Sequence, residues 1–103
     1  MSESLRGLLS ERRDMVYVNV KDISPGEWQV RRIFVNQEEL AESIQRHGIL
    51  EPVLLRAVGG GRYVLIGGER RWRAASSIGL VTVPARILNV SDEQALQISL
   101  VEN

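Results

Sequence analysis

The sequence predicts an α/β (α+β) fold, a small mixed β-sheet with flanking helices. Three observations predict it. β-branched runs alternate along the chain with segments whose apolar residues recur at helical spacing. Glycines and prolines punctuate those segments, at Pro25-Gly26, Gly48, Gly59-Gly60-Gly61, Gly67-Gly68 and Gly79. The length, 103 residues, is that of one domain.

Apart from Met1, residues 1–14 carry only Leu5, Leu8 and Leu9 as sizeable apolar side chains, and they read as a flexible arm or a marginal helix. Residues 15–103 read as the folded domain. Residues 15–21 alternate, with Val16, Val18 and Val20 on one side, as a half-buried strand does. Residues 24–27, Ser-Pro-Gly-Glu, have the chemistry of a turn. Residues 28–34 read as irregular or extended. Asn36 is placed to cap a helix, and Glu39 three positions on completes a capping-box-like start. Leu40, Ala41, Ile44 and His47 then fall at helical spacing, and Gly48 suits the left-handed stop. Residues 52–58 read as a strand, Gly59-Gly60-Gly61 as a tight turn and residues 62–66 as the returning strand. Residues 69–78 form a helix closed by Gly79. Residues 81–88 are a further strand, in which Pro84 marks an edge or a bulge. Ser91-Asp92-Glu93-Gln94 is a capping box, and a helix follows through Val101. The chain stops three turns into that helix, at Glu102-Asn103, so the sequence reads as a piece of a longer protein.

Composition narrows the function. With 44% hydrophobic and 25% charged residues the chain is ordinary globular protein, not a disordered one. The absence of cysteine removes disulfides, thiolate nucleophiles and cysteine-ligated zinc, and a single His47 cannot build a multi-histidine metal site. No apolar run approaches the ~20 residues of a membrane span, and the first residues lack the pattern of an export signal. The expectation is a cytoplasmic protein with no membrane partner. Thirteen basic and thirteen acidic residues cancel, so any anion site is local.

The local candidate is residues 66–74. A strand feeds two glycines, Gly67 and Gly68, and then a helix that opens Glu69-Arg70-Arg71-Trp72-Arg73. The first helical N–H groups have no intrahelical acceptor, and the helix dipole adds positive potential there. Arginine forks in the first turn complete a phosphate-type site. The same segment also fits a tight strand–helix turn followed by a solvated arginine face. It lacks the Gly-Lys-Ser/Thr of a Walker loop. Elsewhere the plain readings dominate: His47 at a helix end favoured by the dipole, Trp28, Trp72 and Tyr63 as packing residues, and Glu38, Glu39 and Glu42 as a solvated face.

Four segments together resemble the N-terminal domain of ParB-type DNA partition proteins. Gly68-Glu69-Arg70-Arg71-Trp72-Arg73-Ala74 matches the family's GERRxRA motif. Gly48-Ile49-Leu50-Glu51-Pro52 resembles its GxxQP loop, and Trp28-Gln29-Val30-Arg31-Arg32-Ile33-Phe34 its QPRxxF segment. Glu102-Asn103 begins its ENxQR motif. Order and spacing fit from about Val16 onward.

The resemblance implies a fold shared with sulfiredoxin and a site for CTP with Mg²⁺, slowly hydrolysed. In such proteins nucleotide closes a dimer into a clamp around DNA. On that basis Gly67, Gly68, Glu69, Arg70 and Arg71 would hold the phosphates. Gly48, Ile49, Glu51 and Pro52 would line the pocket, with Gln29 and Arg31 on the nucleotide side of their segment. Glu102 and Asn103 would act as catalytic and metal-positioning residues. The resemblance also implies homodimerisation, nucleoid association, a helix-turn-helix beyond residue 103, and stimulation of a ParA-type ATPase. Arg6, Arg12 and Arg13 of the arm would contact that ATPase.

Two positions depart from the family. Val30 replaces a proline, and Glu51 replaces the glutamine of GxxQP. A carboxylate ~5 Å from a phosphate charge, at an effective dielectric of about 20, is repelled by about 3 kcal/mol per charge pair. Two other functions stay as alternatives on the same fold. A ParB-like nuclease needs carboxylates converging on metal, and Asp14, Asp22 and Asp92 are scattered. A small-molecule phosphotransferase is the other; sulfiredoxin's own thiol chemistry is impossible where Glu69 stands in place of its cysteine.

Overall fold

The computed structural model describes residues 15–26, 37–49 and 51–102. In chain order these form β1 (Met15–Asn19), a 3₁₀ turn (Val20–Asp22), β2 (Ile23–Pro25), α1 (Gln37–His47), β3 (Val53–Gly59), β4 (Arg62–Gly67), α2 (Glu69–Ser77), β5 (Thr82–Ile87) and α3 (Asp92–Glu102). Asn36, Trp28 and the irregular segment at 28–34 lie outside the described residues.

The five strands make one mixed sheet in the order β1-β5-β3-β4-β2. β1 runs antiparallel to β5, β5 parallel to β3, β3 antiparallel to β4, and β4 parallel to β2. β1 and β2 are the two edges, yet only the 3₁₀ turn separates them in sequence. In a flat sheet of this order the edges lie ~19 Å apart, whereas the four steps from Asn19 to Ile23 reach at most ~15 Å. The sheet therefore curls. Inside the curl Val18, Val20, Ile23, Val53, Leu55, Leu65, Val83 and Ala85 form one buried cluster, which Ala75 and Trp72 of α2 join. The Trp72 indole N–H donates to the Val20 carbonyl over 3.3 Å, tying α2 to the crossing.

Successive strand residues face opposite sides, so Leu54 and Ile66 leave that cluster for a second one with Leu88, Val90, Ala95 and Ile98 under α3. Ser99 Oγ of α3 donates to the Ile66 carbonyl over 3.0 Å in the buried interior. Arg56 Nη1 of β3 reaches Asp92 Oδ1 at the first residue of α3. An acid there also meets the positive end of the helix dipole.

The local stop and start signals act as the sequence predicts. Gly48 has φ +74° and donates to the Ile44 carbonyl over 2.7 Å, closing α1. Gly79 and Leu80 donate to Ser76 and Ala75 carbonyls, the paired bonds of a Schellman end to α2. Ser91 Oγ accepts from the Gln94 N–H at 3.2 Å while Gln94 Oε1 accepts from the Ser91 N–H at 3.0 Å. That is a complete capping box.

Three expectations need correction. Ser24 and Pro25 are strand, not turn: β2 lies at the sheet edge, where proline's missing N–H breaks no ladder. Pro84 stands in β5, an interior strand and not an edge. It is accommodated because the first β3–β5 pair is Val53–Ala85, one residue later, so Pro84 faces a strand partner, Tyr17, on the β1 side alone. The strand expected over 15–21 ends at Asn19, with Val20 buried in the 3₁₀ turn, and Val16 is 43% exposed because α2 meets the chain at Val20, beyond the end of β1.

Candidate functional site

β4 delivers the chain to Gly67, and Gly68 then turns into α2 with φ +87° and ψ 28°. That left-handed backbone favours glycine. Space is tight as well: a Cβ on Gly68 would lie 2.9 Å from Arg71 Nη2, 3.1 Å from Val53 Cγ1 and 3.2 Å from Val53 Cα. The Gly68 carbonyl accepts the first helical bond, from Trp72 N–H at 3.0 Å, so the amides just after Gly68 open the helix. No side chain caps this end.

Arg71 connects the turn to the loop before β3. Its Nη2 donates to the Pro52 carbonyl at 3.3 Å, and its Nη1 lies 3.5 Å from Glu51 Oε2. The arginine side chain is 25% exposed and the glutamate 75%. Gly68, Arg71, Glu51 and Pro52 are thus one constellation drawn from two segments that the sequence leaves 20 residues apart. Arg70 is exposed on the neighbouring side of the first turn.

Glu69, the first residue of α2, is 10% exposed; its Oε2 accepts from Arg73 Nε at 2.8 Å, and its Oε1 is buried without a hydrogen-bond partner. An unpartnered buried carboxylate oxygen is costly and suits a donor or cation arriving at this end of the helix. Gln37, which sequence reasoning did not single out, opens α1 and donates from Nε2 to the Arg70 carbonyl over 2.9 Å. Nothing in its local pattern signals this, because the partner is 33 residues away.

The remaining expected site residues fall as follows. Gly48 is exposed at the end of α1, Ile49 is half-buried against the first core cluster, and Gly67 is buried. Gln29, Arg31, Arg6, Arg12, Arg13 and Asn103 lie outside the described residues, as does the side chain of Glu102. Among the described residues no three His, Asp or Glu side chains gather as a metal site. Trp72 and Tyr63 pack against the core as expected, and His47 is exposed. No helix of the structure is long and apolar enough to cross a membrane.

A cavity of about 450 Å³ opens on the other side of α2, between Trp72, Ser76 and Leu80 and the crossing at Asn19–Lys21. None of the described residues expected to hold nucleotide lines it.

A curled mixed sheet whose β4 runs through a left-handed glycine into an arginine-bearing helix defines a mixed α/β domain with an uncapped helix start beside an arginine. The chain belongs to the ParB N-terminal domain family, whose model matches residues 6–103. It is 51% identical over 89 residues to a probable chromosome-partitioning protein ParB of Neisseria meningitidis, covering 84% of this chain and 31% of that protein. The crystal structure of the C-terminally truncated ParB from Caulobacter crescentus complexed with CTP-gamma-S superposes with a TM-score of 0.78 at 35% identity. That match covers 86% of this chain and 52% of the other. Sulfiredoxin from Arabidopsis thaliana matches with a TM-score of 0.66 at 26% identity, over 84% of this chain and 96% of that one, so the expected kinship of fold holds. The chain spans about a third of the length of the ParB relative.

Proposed function

We propose that this chain is the nucleotide-binding part of a ParB-type partition protein, which holds CTP by its phosphates at the N-terminus of α2. The observation that carries the reading is the Gly68–Arg71–Pro52 arrangement. The left-handed Gly68 opens α2 with no side-chain cap, which leaves the first helix amides free for a ligand, and an arginine anchored on the Pro52 carbonyl stands beside them. Its supports are family membership and the CTP analogue held by the Caulobacter relative.

In this reading the amides after Gly68 bind phosphate oxygens, Arg71 orients them, and Arg70 adds charge from the exposed side. Gly48, Ile49 and Pro52 form the facing wall. Gln29 and Arg31 would contribute to nucleotide binding, as the resemblance implies. Glu69 Oε1, buried without a hydrogen-bond partner, offers an acceptor to a bound cation or water, and Glu102 and Asn103 would hold Mg²⁺ as the resemblance implies. The metal would neutralise phosphate charge. Slow CTP hydrolysis, clamp closure of a homodimer on DNA and stimulation of a ParA-type ATPase through Arg6, Arg12 and Arg13 belong to the longer protein.

Calorimetry with CTP, UTP, ATP and GTP, with and without Mg²⁺, tests the reading. CTP binding by the parent chain and its loss in Arg71→Ala are expected. Unchanged CTP affinity in Arg71→Ala would falsify the site.

A further inference from the structure

The Glu51 departure from the family motif acquires a physical meaning from the Arg71 contact. The guanidinium is confined on two sides, by the Pro52 carbonyl at 3.3 Å and by the closed cradle over Gly68, where even a Cβ would come within 2.9 Å of Nη2. Its Nη1 faces Glu51 Oε2 at 3.5 Å. The carboxylate therefore stands where a phosphate oxygen would meet the same arginine. It is also the freer of the two side chains, 75% exposed against 25%.

We infer that Glu51 is a built-in anionic competitor of the ligand's phosphates for Arg71, and that it sets the affinity of the site for phosphorylated ligands. The inference rests on the phosphate-site reading above. An arriving phosphate has two ways to reach Arg71, and both cost affinity. Glu51 can rotate outward, which gives up its ion pair, or it can stay and repel the ligand. Because Glu51 is largely exposed and the contact is long at 3.5 Å, each cost is moderate. The effect is about tenfold in Kd, equivalent to ~1.4 kcal/mol.

Charge competition has a signature that a packing role lacks. The cost rises with the number of ligand charges and falls as salt screens them. Neutral Glu51→Gln keeps the shape of the side chain and restores the residue type of the family motif.

The test is calorimetric titration of the full chain and of Glu51→Gln with CTP, CDP, CMP and cytidine, in EDTA and in Mg²⁺, at low and high salt. Urea unfolding of both proteins checks that their stabilities agree. The expected result is CTP binding about tenfold tighter in Glu51→Gln, a smaller gain for CMP, none for cytidine, and a reduced gain at high salt. Equal CTP affinities, or the same gain for cytidine, would overturn the inference while leaving the phosphate site standing. Weaker CTP binding by Glu51→Gln in Mg²⁺ would overturn it too, making Glu51 a metal-side ligand instead. If neither protein binds any of the four ligands, the phosphate-site reading itself fails. A parent chain that binds CTP and loses it in Arg71→Ala excludes that last case.

Discussion

Gln37 and Arg70 join the two helices that border the candidate site: the Gln37 side-chain amide donates to the Arg70 main-chain carbonyl over 2.9 Å. The Arg70 carbonyl belongs to the first turn of α2, so the bond ties the start of α1 to the helix end proposed to hold phosphate. The other Gln37 amide atom, Oε1, is buried without a partner.

Replacing Gln37 by methionine removes a hydrogen bond and an unsatisfied buried oxygen together. Losing the bond costs about 1 kcal/mol, and losing the orphan oxygen returns a similar amount. Thermal unfolding of Gln37→Met is therefore expected to stay within about 4–8 °C of the parent, the shift that ~1 kcal/mol produces in a domain of this size. A larger drop would mean that the amide is satisfied in solution.

Gly68→Ala meets two obstacles at once. An L-residue in the left-handed region costs ~1–2 kcal/mol, and its methyl would lie 3.2 Å from Val53 Cα, which is backbone and yields little. Together these predict a loss of about 2–4 kcal/mol in urea unfolding. Gly48→Ala shares the positive φ, but apart from its chain neighbours no atom of the described residues lies within 4 Å of its Cβ. It should lose only the conformational part, and the difference between the two variants isolates the steric part.

Ser91→Ala removes one half of the α3 capping box, leaving the Gln94 N–H without its side-chain acceptor. The expected cost is about 1 kcal/mol. Gln94→Ala removes the reciprocal half, and the double variant should cost less than the sum, because each half orients the other. Strict additivity in a double-mutant cycle would count against a cooperative box.

The proposed contact of Arg6, Arg12 and Arg13 with a ParA-type ATPase has its own test. Arg6→Ala combined with Arg12→Ala and Arg13→Ala should abolish stimulation of the partner ATPase by the full-length protein with DNA. CTP affinity should not change. Full stimulation by the triple variant would leave the arm without that role.

Interactions spanning a few residues were legible in the sequence because their partners are adjacent in it. Gly48 closing α1 on Ile44, Gly79 closing α2, and the Ser91–Gln94 box are all such pairs. The Gly67-Gly68 break between β4 and an arginine-bearing helix was legible for the same reason: turn and helix start are local chemistry. The resemblance carried the site further, naming both the 48–52 loop and the first turn of α2.

What the sequence left open are the relationships that depend on which strands become neighbours. Ser-Pro-Gly reads as a turn anywhere, and only a place at the sheet edge beside β4 makes Ser24 and Pro25 a strand. Pro84 is tolerable in an interior strand only because β3 joins one residue later. Glu51 reads as a departure from a motif until folding sets it 3.5 Å from Arg71 and makes it that arginine's counter-charge. Gln37 had no signal at all, since its partner is a main-chain carbonyl 33 residues away, and any residue has a carbonyl. By itself the sequence determined where α1 and α2 stop and where α3 starts, through bonds reaching three to five residues. The tertiary structure decided which charges and amides meet, because the curl of the sheet and the packing of α1 on α2 bring distant segments together.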